Sequence, residues 1–283
     1  TNEATLVSLT GTVIDPNPAN GSSFTFLWQV AADNGQTIAN GTSQNFTFTP
    51  NDNGRYTVTF TVTDLNDGNR QYVDTVYVFV TNAAPTFEAG VDTTFNEGQT
   101  LTRSLTFADP GADIWTATVD YGDGSGVVTI ASSELADKAF ALDHTYTDSG
   151  VFTVKVTLSD GDGGTVSDTF QITSNNPSPT ANAGVDQTVT EGSPVTLIAT
   201  VTDPGASDTH TYLWIVVASN GQVIPNATTA AFSFTPTDNG TYTVTLAVTD
   251  DDGAGAIDSA VITATNVAPS SMAWVAAHAA AAT

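Results

Sequence analysis

The sequence predicts an all-β protein of three tandem β-sandwiches in an elongated array, and three observations lead to this prediction. Similar stretches recur about every 90 residues along the chain. Within each copy, apolar residues alternate with Thr or Lys, which is the period-two pattern of a half-buried strand. Gly, Asn, Asp and Pro interrupt these segments at short intervals, as the turns of a sandwich require. The repeat length is that of an immunoglobulin-like sandwich.

The recurring stretches divide the chain into three copies and a tail. The segment AGVDTTFNEGQ at 89–99 returns as AGVDQTVTEGS at 183–193. Likewise NDNGRYTVTFTVTDLNDG at 51–68 returns as TDNGTYTVTLAVTDDDGA at 237–254. We expect a first repeat at 1–82 that lacks its first strand, a second at 83–176, a third at 177–267, and a strand-like tail at 268–283.

Tryptophan residues mark the predicted cores. Trp28 and Trp214 fall on the central strand of the first and third repeats, where sandwiches of this kind bury a Trp. Aligning the sequences places Asp120 of the second repeat at the position of Trp214. We therefore expect Trp115, which comes slightly earlier in the chain, to fill that space.

The charge of the chain excludes several classes of partner. It carries 30 acidic and 5 basic residues, a formal net charge of −25. Such a surface repels nucleic acid and anionic lipid and attracts divalent cations. No Cys is present, which argues against thiol catalysis and zinc–thiolate sites. The sequence contains no apolar run of about 18 residues, the length that would indicate a membrane span. The opening residues already alternate like a strand, so we expect a mature fragment of a longer secreted protein.

Two stretches of the second repeat resemble a known family. VDYGDGSG at 119–126 and HTYTDSGVFTVKVTLSDGDGG at 144–164 are similar to the signature of the PKD domain. The first and third repeats keep the second half of that signature and the Trp. The resemblance implies immunoglobulin-like sandwiches of an extracellular or cell-surface protein, typically bacterial. PKD repeats also occur as modules of secreted proteases and chitinases.

Acidic loops at one pole of each sandwich predict cation sites. Asp residues precede Pro in the loop between the second and third strands, and others lie between the sixth and seventh strands. Both loops are expected at the pole where the chain enters, and carboxylate and carbonyl oxygens are the ligands of Ca²⁺. Some PKD domains bind calcium at the domain entry, and by position the resemblance implies these ligands: Asp109, Asp160, Asp162 and Asn82 for the second repeat, and Asp203, Asp250, Asp252 and Asn176 for the third.

Other motifs give no support to catalysis. DYGDGSG at 120–126 lacks the further acidic positions of an EF-hand, so we interpret it as a hairpin turn. The sequence has three His residues, and His144 coincides with a structural His of the PKD signature. No nucleophile elbow, zinc-protease motif or phosphate loop occurs, and we expect no enzyme. Five Asn-x-Ser/Thr triplets leave glycosylation open; they begin at Asn20, Asn40, Asn45, Asn226 and Asn239.

The tail permits two interpretations. In the first, it is the altered start of a fourth repeat in a longer array. In the second, SSMAWVAAH at 270–278 donates a strand to the first repeat of a neighbouring chain, and head-to-tail copies build a filament.

Two functions are therefore considered. The first is a structural or adhesive extracellular rod of roughly 100–130 Å, partnered by copies of itself or by neighbouring repeats. The alternative is a non-catalytic module of a secreted hydrolase that binds polysaccharide or collagen. Such binding needs exposed aromatic side chains, and we expect most of the aromatics to face the cores, with Trp274 as the one clear candidate for exposure.

Overall fold

The computed structural model describes residues 1–15 and 18–268, and strands make up most of its regular structure. Three tandem immunoglobulin-like β-sandwiches follow one another along the chain, which confirms the predicted fold class. Within the described part, the helical segments are two short 3-10 turns, Pro18–Asn20 and Ser132–Glu134.

The first repeat contains five strands in two sheets. They are β1 (Val7–Thr10), β2 (Phe24–Ala32), β3 (Asn45–Phe48), β4 (Gly54–Asp64) and β5 (Arg70–Val80). β1 pairs with β3, and the other sheet has the order β2-β4-β5. Trp28 is 4% exposed and stacks on Phe60 at a ring-centroid distance of 4.1 Å, so the predicted Trp forms the core.

The second repeat has eight strands. They are β6 (Thr86–Phe87), β7 (Thr93–Asn96), β8 (Thr100–Ala108), β9 (Thr116–Asp120), β10 (Val127–Ile130), β11 (Ala139–Thr145), β12 (Gly150–Ser159) and β13 (Thr165–Asn175). One sheet has the order β10-β9-β12-β13-β7, and the other has the order β11-β8-β6.

The third repeat also has eight strands. They are β14 (Thr180–Asn182), β15 (Gln187–Thr190), β16 (Val195–Ile198), β17 (Thr200–Thr202), β18 (His210–Ala218), β19 (Ala231–Phe234), β20 (Gly240–Asp250) and β21 (Gly255–Thr265). The main sheet is β15-β21-β20-β18, and β14-β17 and β16-β19 form the opposite layer. Trp214 is fully buried against this core.

The register of the second repeat corrects one predicted equivalence. Val156 of β12 pairs with Val119, and the equivalent Leu246 of β20 pairs with Trp214. Val119, which is 1% exposed, therefore occupies the position of Trp214, and Asp120 is exposed on the outer side of the sheet. The sequence alignment was wrong by one residue because the loops before these strands differ in length.

Trp115 does not fill the core position predicted for it. Its indole Nε1 donates a hydrogen bond to Asp109 Oδ2 at 2.9 Å, and its ring packs edge-on against Phe107. Trp115 therefore supports the acidic loop after β8, while Val119 fills the core.

The chain divides into two compact units. The first comprises Thr1–Thr93, Leu101–His144 and Val151–Ile172, and the second comprises Thr94–Thr100, Thr145–Gly150 and Thr173–Thr283. The repeat boundaries at 82, 176 and 267 stay predictions, and the predicted tail lies outside the described residues after Ala268. Among the described residues, no helix has the length and apolar character needed to cross a bilayer.

Candidate metal centres

Acidic side chains of two consecutive repeats meet in the first compact unit. Glu3 belongs to the first repeat, and Asp109 and Asp113 lie between β8 and β9 of the second. One oxygen from each carboxylate lies within 4.8 Å of the others, and all three side chains are buried. Asp52, from the turn before β4, forms a second such group with Asp113 and Asp162. We call these five carboxylates the first acidic cluster.

The loop after β8 is shaped so that these carboxylates can approach one another. Asp109 Oδ1 accepts the Gly111 N–H at 2.9 Å, which closes a tight turn. A Cβ atom on Gly111 would lie 2.3 Å from Asp113 Oδ2 and 2.9 Å from Glu3 Cδ. Glycine is therefore required at 111 by the close approach of the carboxylates.

A second acidic cluster lies in the second compact unit. Glu97 follows β7 and Asp148 precedes β12, while Asp208 and Asp252 lie in loops of the third repeat. One oxygen from each of these four side chains lies within 4.8 Å of the others. A further group with the same spacing in this cluster consists of Asp203, Asp208 and Asp250.

An Asn in each linker ties the chain to an acidic loop. Asn82 Nδ2 donates to Asp160 Oδ2 at 2.7 Å, and Asp160 Oδ1 accepts the Gly164 N–H at 2.8 Å. Asn176 Nδ2 donates in the same way to Asp250 Oδ2 at 3.2 Å. Both linkers are thus held beside the cluster by the same side-chain contact.

Several buried oxygens of both clusters have no hydrogen-bond partner among the described residues. A buried carboxylate without a partner is strongly unfavourable, because it loses its hydration without compensation. The atoms are all hard oxygen donors, which match Ca²⁺ better than Zn²⁺. They are Glu3 Oε2, Asn82 Oδ1 and both oxygens of Asp113 in the first cluster, and both oxygens of Glu97, Asn176 Oδ1 and Asp208 Oδ2 in the second.

Crowding and burial shift the protonation of these carboxyls. Burial raises the pKa of Asp113 to about 8, and the carboxyl of Asp109 contributes to the increase. Burial and then the charge of Asp208 raise the pKa of Glu97 to about 7. The pKa of Asp208 rises to about 6, first by burial and then by the charge of Asp203. Without a cation, both clusters therefore retain protons that ordinary carboxyls would lose.

The structure places all eight predicted ligands in or beside the two clusters. Asp109, Asp162, Asp203, Asp250 and Asp252 belong to the close groups, whereas Asp160 and the two linker Asn residues flank them. Sequence reasoning missed the acids Glu3, Asp52, Asp113, Glu97, Asp148 and Asp208. The missed residues carried a signal, because Glu and Asp recur at these positions in NEAT and NEGQ, NDNG and TDSG, and DPGAD and DPGASD.

The histidines of the described residues have structural contacts. His144 stacks on Tyr121 with ring centroids 4.0 Å apart, and its Nε2 lies 2.6 Å from Asp123 Oδ2. Asp123 lies in the predicted hairpin turn, which joins the paired strands β9 and β10. His210 Nε2 lies 2.8 Å from Asp203 Oδ2 and takes the place that Trp115 has beside Asp109.

Comparison with protein families decides what these repeats are. The family described as PKD domain matches residues 82–174, and the one described as K319L-like, PKD domain matches residues 183–264. The second and third repeats are PKD-type domains. The resemblance seen in the sequence is thereby confirmed for these two repeats. No curated protein matches the chain.

Solved structures match the chain at low similarity. A tetra-tandem repeat from the extending region of a large adhesion protein is 21% identical, covering 92% of this chain and 74% of that chain at a TM-score of 0.40. Mouse cadherin-23 EC22-24 is 14% identical, covering 91% of this chain and 92% of that chain at a TM-score of 0.30. The Bacteroides ovatus SGBP-B, in complex with a mixed-linkage heptasaccharide, is 15% identical. The match covers 94% of this chain and 65% of that chain at a TM-score of 0.23. At similarities this low, the functions of these proteins say nothing about the function of this chain.

Proposed function

We propose that this chain is a non-enzymatic structural or adhesive spacer of an extracellular or cell-surface protein, with calcium ions at its acidic clusters. The observation that carries the proposal is the set of buried carboxylate oxygens without a hydrogen-bond partner among the described residues. These atoms occur at equivalent positions in both clusters, so they are a property of the repeat. A chance accumulation of acids on a surface of net charge −25 would leave them exposed and solvated.

The residues present fit a calcium ion in number and type. Ca²⁺ takes six to eight oxygens from carboxylates, amides, carbonyls and water. Each cluster offers five or six carboxylates and one linker amide oxygen, and no His or Cys is needed. The proposed ligands are Glu3, Asp52, Asn82, Asp109, Asp113 and Asp162 in the first cluster, and Glu97, Asp148, Asn176, Asp203, Asp208, Asp250 and Asp252 in the second.

Calcium would have a mechanical effect because the ligands of one cluster belong to different repeats. In the first cluster, Glu3 and Asp52 come from one repeat, and Asp109 and Asp113 from the next. A cation shared by these carboxylates removes their mutual repulsion and resists any motion that separates them. Binding to the folded state alone adds about 2.7 kcal/mol per site when free calcium is 100 times its dissociation constant.

Calorimetry and thermal melting of the intact 283-residue chain test the proposal. We expect titration to reveal calcium binding and the melting temperature to rise with calcium and fall with EDTA. Magnesium should be weaker, because it demands a stricter octahedral geometry. Equal melting temperatures in calcium and in EDTA would refute calcium binding.

The alternative function, binding to polysaccharide or collagen, is favoured by one feature of the first repeat. Tyr77 and Phe79 of β5 are 55% and 66% exposed, and their ring centroids lie 6.4 Å apart. The Arg55 guanidinium lies over the Tyr77 ring at 5.5 Å. Tyr77 and Phe79 are therefore exposed aromatics that the sequence did not single out; Trp274 itself lies outside the described residues.

Retention on insoluble glycans and collagen tests this alternative. Binding that is lost in Tyr77→Ala and Phe79→Ala, and kept in Val217→Ala at an exposed position of β18, would support it. If the chain is retained on neither glycan nor collagen, the alternative function is refuted and only the spacer function stands.

Head-to-tail association by strand donation is part of the spacer proposal. The proposed acceptor is the first repeat, whose described sheets have two and three strands. The proposed donor, residues 268–283, lies outside the described part after Ala268. Deletion of 269–283 should abolish any concentration-dependent assembly seen by light scattering, and assembly that survives the deletion would exclude the tail as donor.

A further inference from the structure

The first acidic cluster consists of two close groups of carboxylates that overlap at one residue. One group is Glu3, Asp109 and Asp113, and the other is Asp52, Asp113 and Asp162. Within each group, the carboxylate oxygens lie within 4.8 Å of one another, and Asp113 belongs to both. The cluster therefore has two positions where carboxylate oxygens converge, joined through a single side chain.

The second acidic cluster has the same arrangement. Its two groups are Glu97, Asp148, Asp208 and Asp252, and Asp203, Asp208 and Asp250, so that Asp208 is the shared residue. Asp208 follows the Asp-Pro-Gly turn between β17 and β18, and Asp113 follows the Asp-Pro-Gly turn between β8 and β9. The shared carboxylate thus comes from the same loop in both clusters.

The shared carboxylates keep oxygens available in both clusters. Asp113 is 8% exposed, and neither of its oxygens has a hydrogen-bond partner among the described residues. The Oδ2 atom of Asp208 is likewise buried and without a partner there. A carboxylate has two oxygens and about four lone pairs, so one side chain can bind a different cation with each oxygen.

The spacing of the groups does not suit a single ion. Ca²⁺ binds oxygens at about 2.3–2.6 Å, so two ligand atoms of one ion lie at most about 5.2 Å apart. At a spacing of 4.8 Å, the carboxylates of each cluster fall into two groups instead of one. An ion placed in one group would therefore leave the carboxylates of the other group without a cation.

The charge of the clusters also favours more than one ion. One Ca²⁺ compensates two of the five carboxylate charges in the first cluster, or two of the six in the second. The sequence of the second compact unit contains no Lys or Arg that could compensate the others. Two ions in each cluster would compensate four charges and give each group its own cation.

We propose that each acidic cluster binds two calcium ions, and that the carboxylates of Asp113 and Asp208 bridge the two ions of their cluster. This inference rests on the calcium binding of the proposed function, and it adds the number of ions and the residue that joins them. Each ion is held by one of the close groups, and the linker amide oxygens and water complete its coordination.

The two groups of the second cluster differ in what they connect. Asp203, Asp208 and Asp250 all belong to the third repeat, so an ion among them fixes the loops of that repeat alone. The other group adds Glu97 and Asp148 from the second repeat, so its ion holds two repeats together. Because the first of these ions positions Asp208 for the second, calcium should bind this cluster with positive cooperativity.

Counting the bound ions tests the inference. Equilibrium dialysis of the intact 283-residue chain against radioactive calcium is carried out at 150 mM KCl, which screens loose association with the acidic surface. We expect four ions per chain at saturation. Two ions per chain, with a raised melting temperature, would overturn the bridged pairs and leave the proposed function standing. A chain that binds no calcium would refute both.

Variants of shared and unshared ligands identify the bridge. At the lowest calcium concentration that saturates the unmodified chain, Asp113→Asn should bind two ions, because it weakens both ions of its cluster. Asp162→Asn, whose residue belongs to one group, should bind three. Asp143→Asn, at an exposed position of β11, makes the same charge change and should still bind four. Equal counts for Asp113→Asn and Asp162→Asn would overturn the bridge; circular dichroism in EDTA checks that each variant is folded.

Manganese supplies a readout of the distance between the ions. Mn²⁺ also prefers oxygen ligands, and the ions of two-metal sites lie about 3.5–4 Å apart. Electron paramagnetic resonance of the manganese-loaded chain should therefore show exchange-coupled pairs. The coupling should be lost in the double variant Asp113→Asn with Asp208→Asn and kept in Asp143→Asn. A spectrum of isolated ions in the unmodified chain at full loading would overturn the proposal.

Discussion

Glu97 and Glu191 occupy equivalent positions in the second and third repeats, but only Glu191 accepts a backbone hydrogen bond there. Glu191 Oε1 accepts the Val267 N–H at 3.0 Å, and Glu3 accepts the Ala83 N–H at 2.8 Å. The residue at this place beside Glu97 is Pro177, which has no N–H to donate. Glu97 is 1% exposed, and because this donor is missing, neither of its oxygens accepts a hydrogen bond within the described residues. One Pro thus leaves a carboxylate available to a cation.

Glu97→Gln should have opposite effects in EDTA and in calcium. In EDTA it removes a buried, unpaired carboxyl and should raise the free energy of unfolding by roughly 1 kcal/mol. In saturating calcium it removes a ligand and should lower both the stability and the calcium affinity. Glu191→Gln is the control, because its carboxylate has a backbone partner, and it should lose a little stability in both buffers. Denaturant melts in the two buffers measure this, and a shift of the same sign for Glu97→Gln in both would contradict the ligand role.

Trp214 should be the most costly single residue to truncate in the third repeat. It is fully buried, stacks on Phe232 with centroids 5.5 Å apart, and donates from Nε1 to the Thr229 carbonyl at 3.0 Å. Trp214→Ala should cost about 3–5 kcal/mol. Val217→Ala, on the same strand and 67% exposed, should change stability by less than about 0.5 kcal/mol. Chemical denaturation gives both values, and similar losses for the two variants would mean that the core is packed elsewhere.

At the scale of elements, the strands were predictable and the partners of the loops were not. Alternation of apolar residues and Thr located the long strands β4, β12 and β20 because half-buried strands need that period. The acidic loops after β8 and β17 were also found, because Asp-Pro-Gly turns repeat in the sequence. The sequence alignment placed Asp120 at the position of Trp214, one residue away from the true equivalent, Val119. Sequence alone does not show where a strand begins after loops of unequal length.

Three acids of each cluster escaped prediction for a different physical reason. Glu3 and Asp52 belong to the far pole of the preceding repeat, and they join Asp113 only because two sandwiches pack end to end in the first unit. Each repeat considered alone offers only part of a ligand set. The recurrence of Glu at 3, 97 and 191 is visible in the sequence, but the sequence does not show that Glu3 and Glu97 lie beside the acidic loops of the following repeat.

The acidic loops should make stability depend on pH in a direction set by calcium. The folded-state pKa values of Asp113, Glu97 and Asp208, at about 8, 7 and 6, exceed the ordinary values of Asp and Glu. The folded chain then holds more protons than the unfolded chain between about pH 4 and pH 8, so its free energy of unfolding falls as the pH rises through this window. Saturating calcium should flatten or reverse the slope, because the metal favours the ionised carboxylates. Thermal melts from pH 4 to 8 measure it, and a slope unaffected by calcium would contradict shared ligation.

For the whole molecule, each compact unit contains one complete acidic cluster. The same residue types recur in both, so that carboxylates of consecutive repeats lie close together and repel one another when ionised. If the proposed calcium sites exist, a spacer made this way would have joints whose stiffness follows the calcium concentration, whereas its sandwiches would keep their own cores. Calcium should therefore act on the joints more than on the repeats.

X-ray scattering of the whole chain should separate these two levels. If the repeats follow one another lengthwise, the spacer proposal predicts a maximum dimension of roughly 100–130 Å in calcium. In EDTA, repulsion between unpaired carboxylates should broaden the distance distribution while circular dichroism reports unchanged strand content. The double variant Asp113→Asn with Asp208→Asn lacks a carboxylate in each cluster, so its scattering should respond much less to EDTA. A profile identical in calcium and EDTA, or an equal response of the double variant, would show that the acidic clusters do not control the joints.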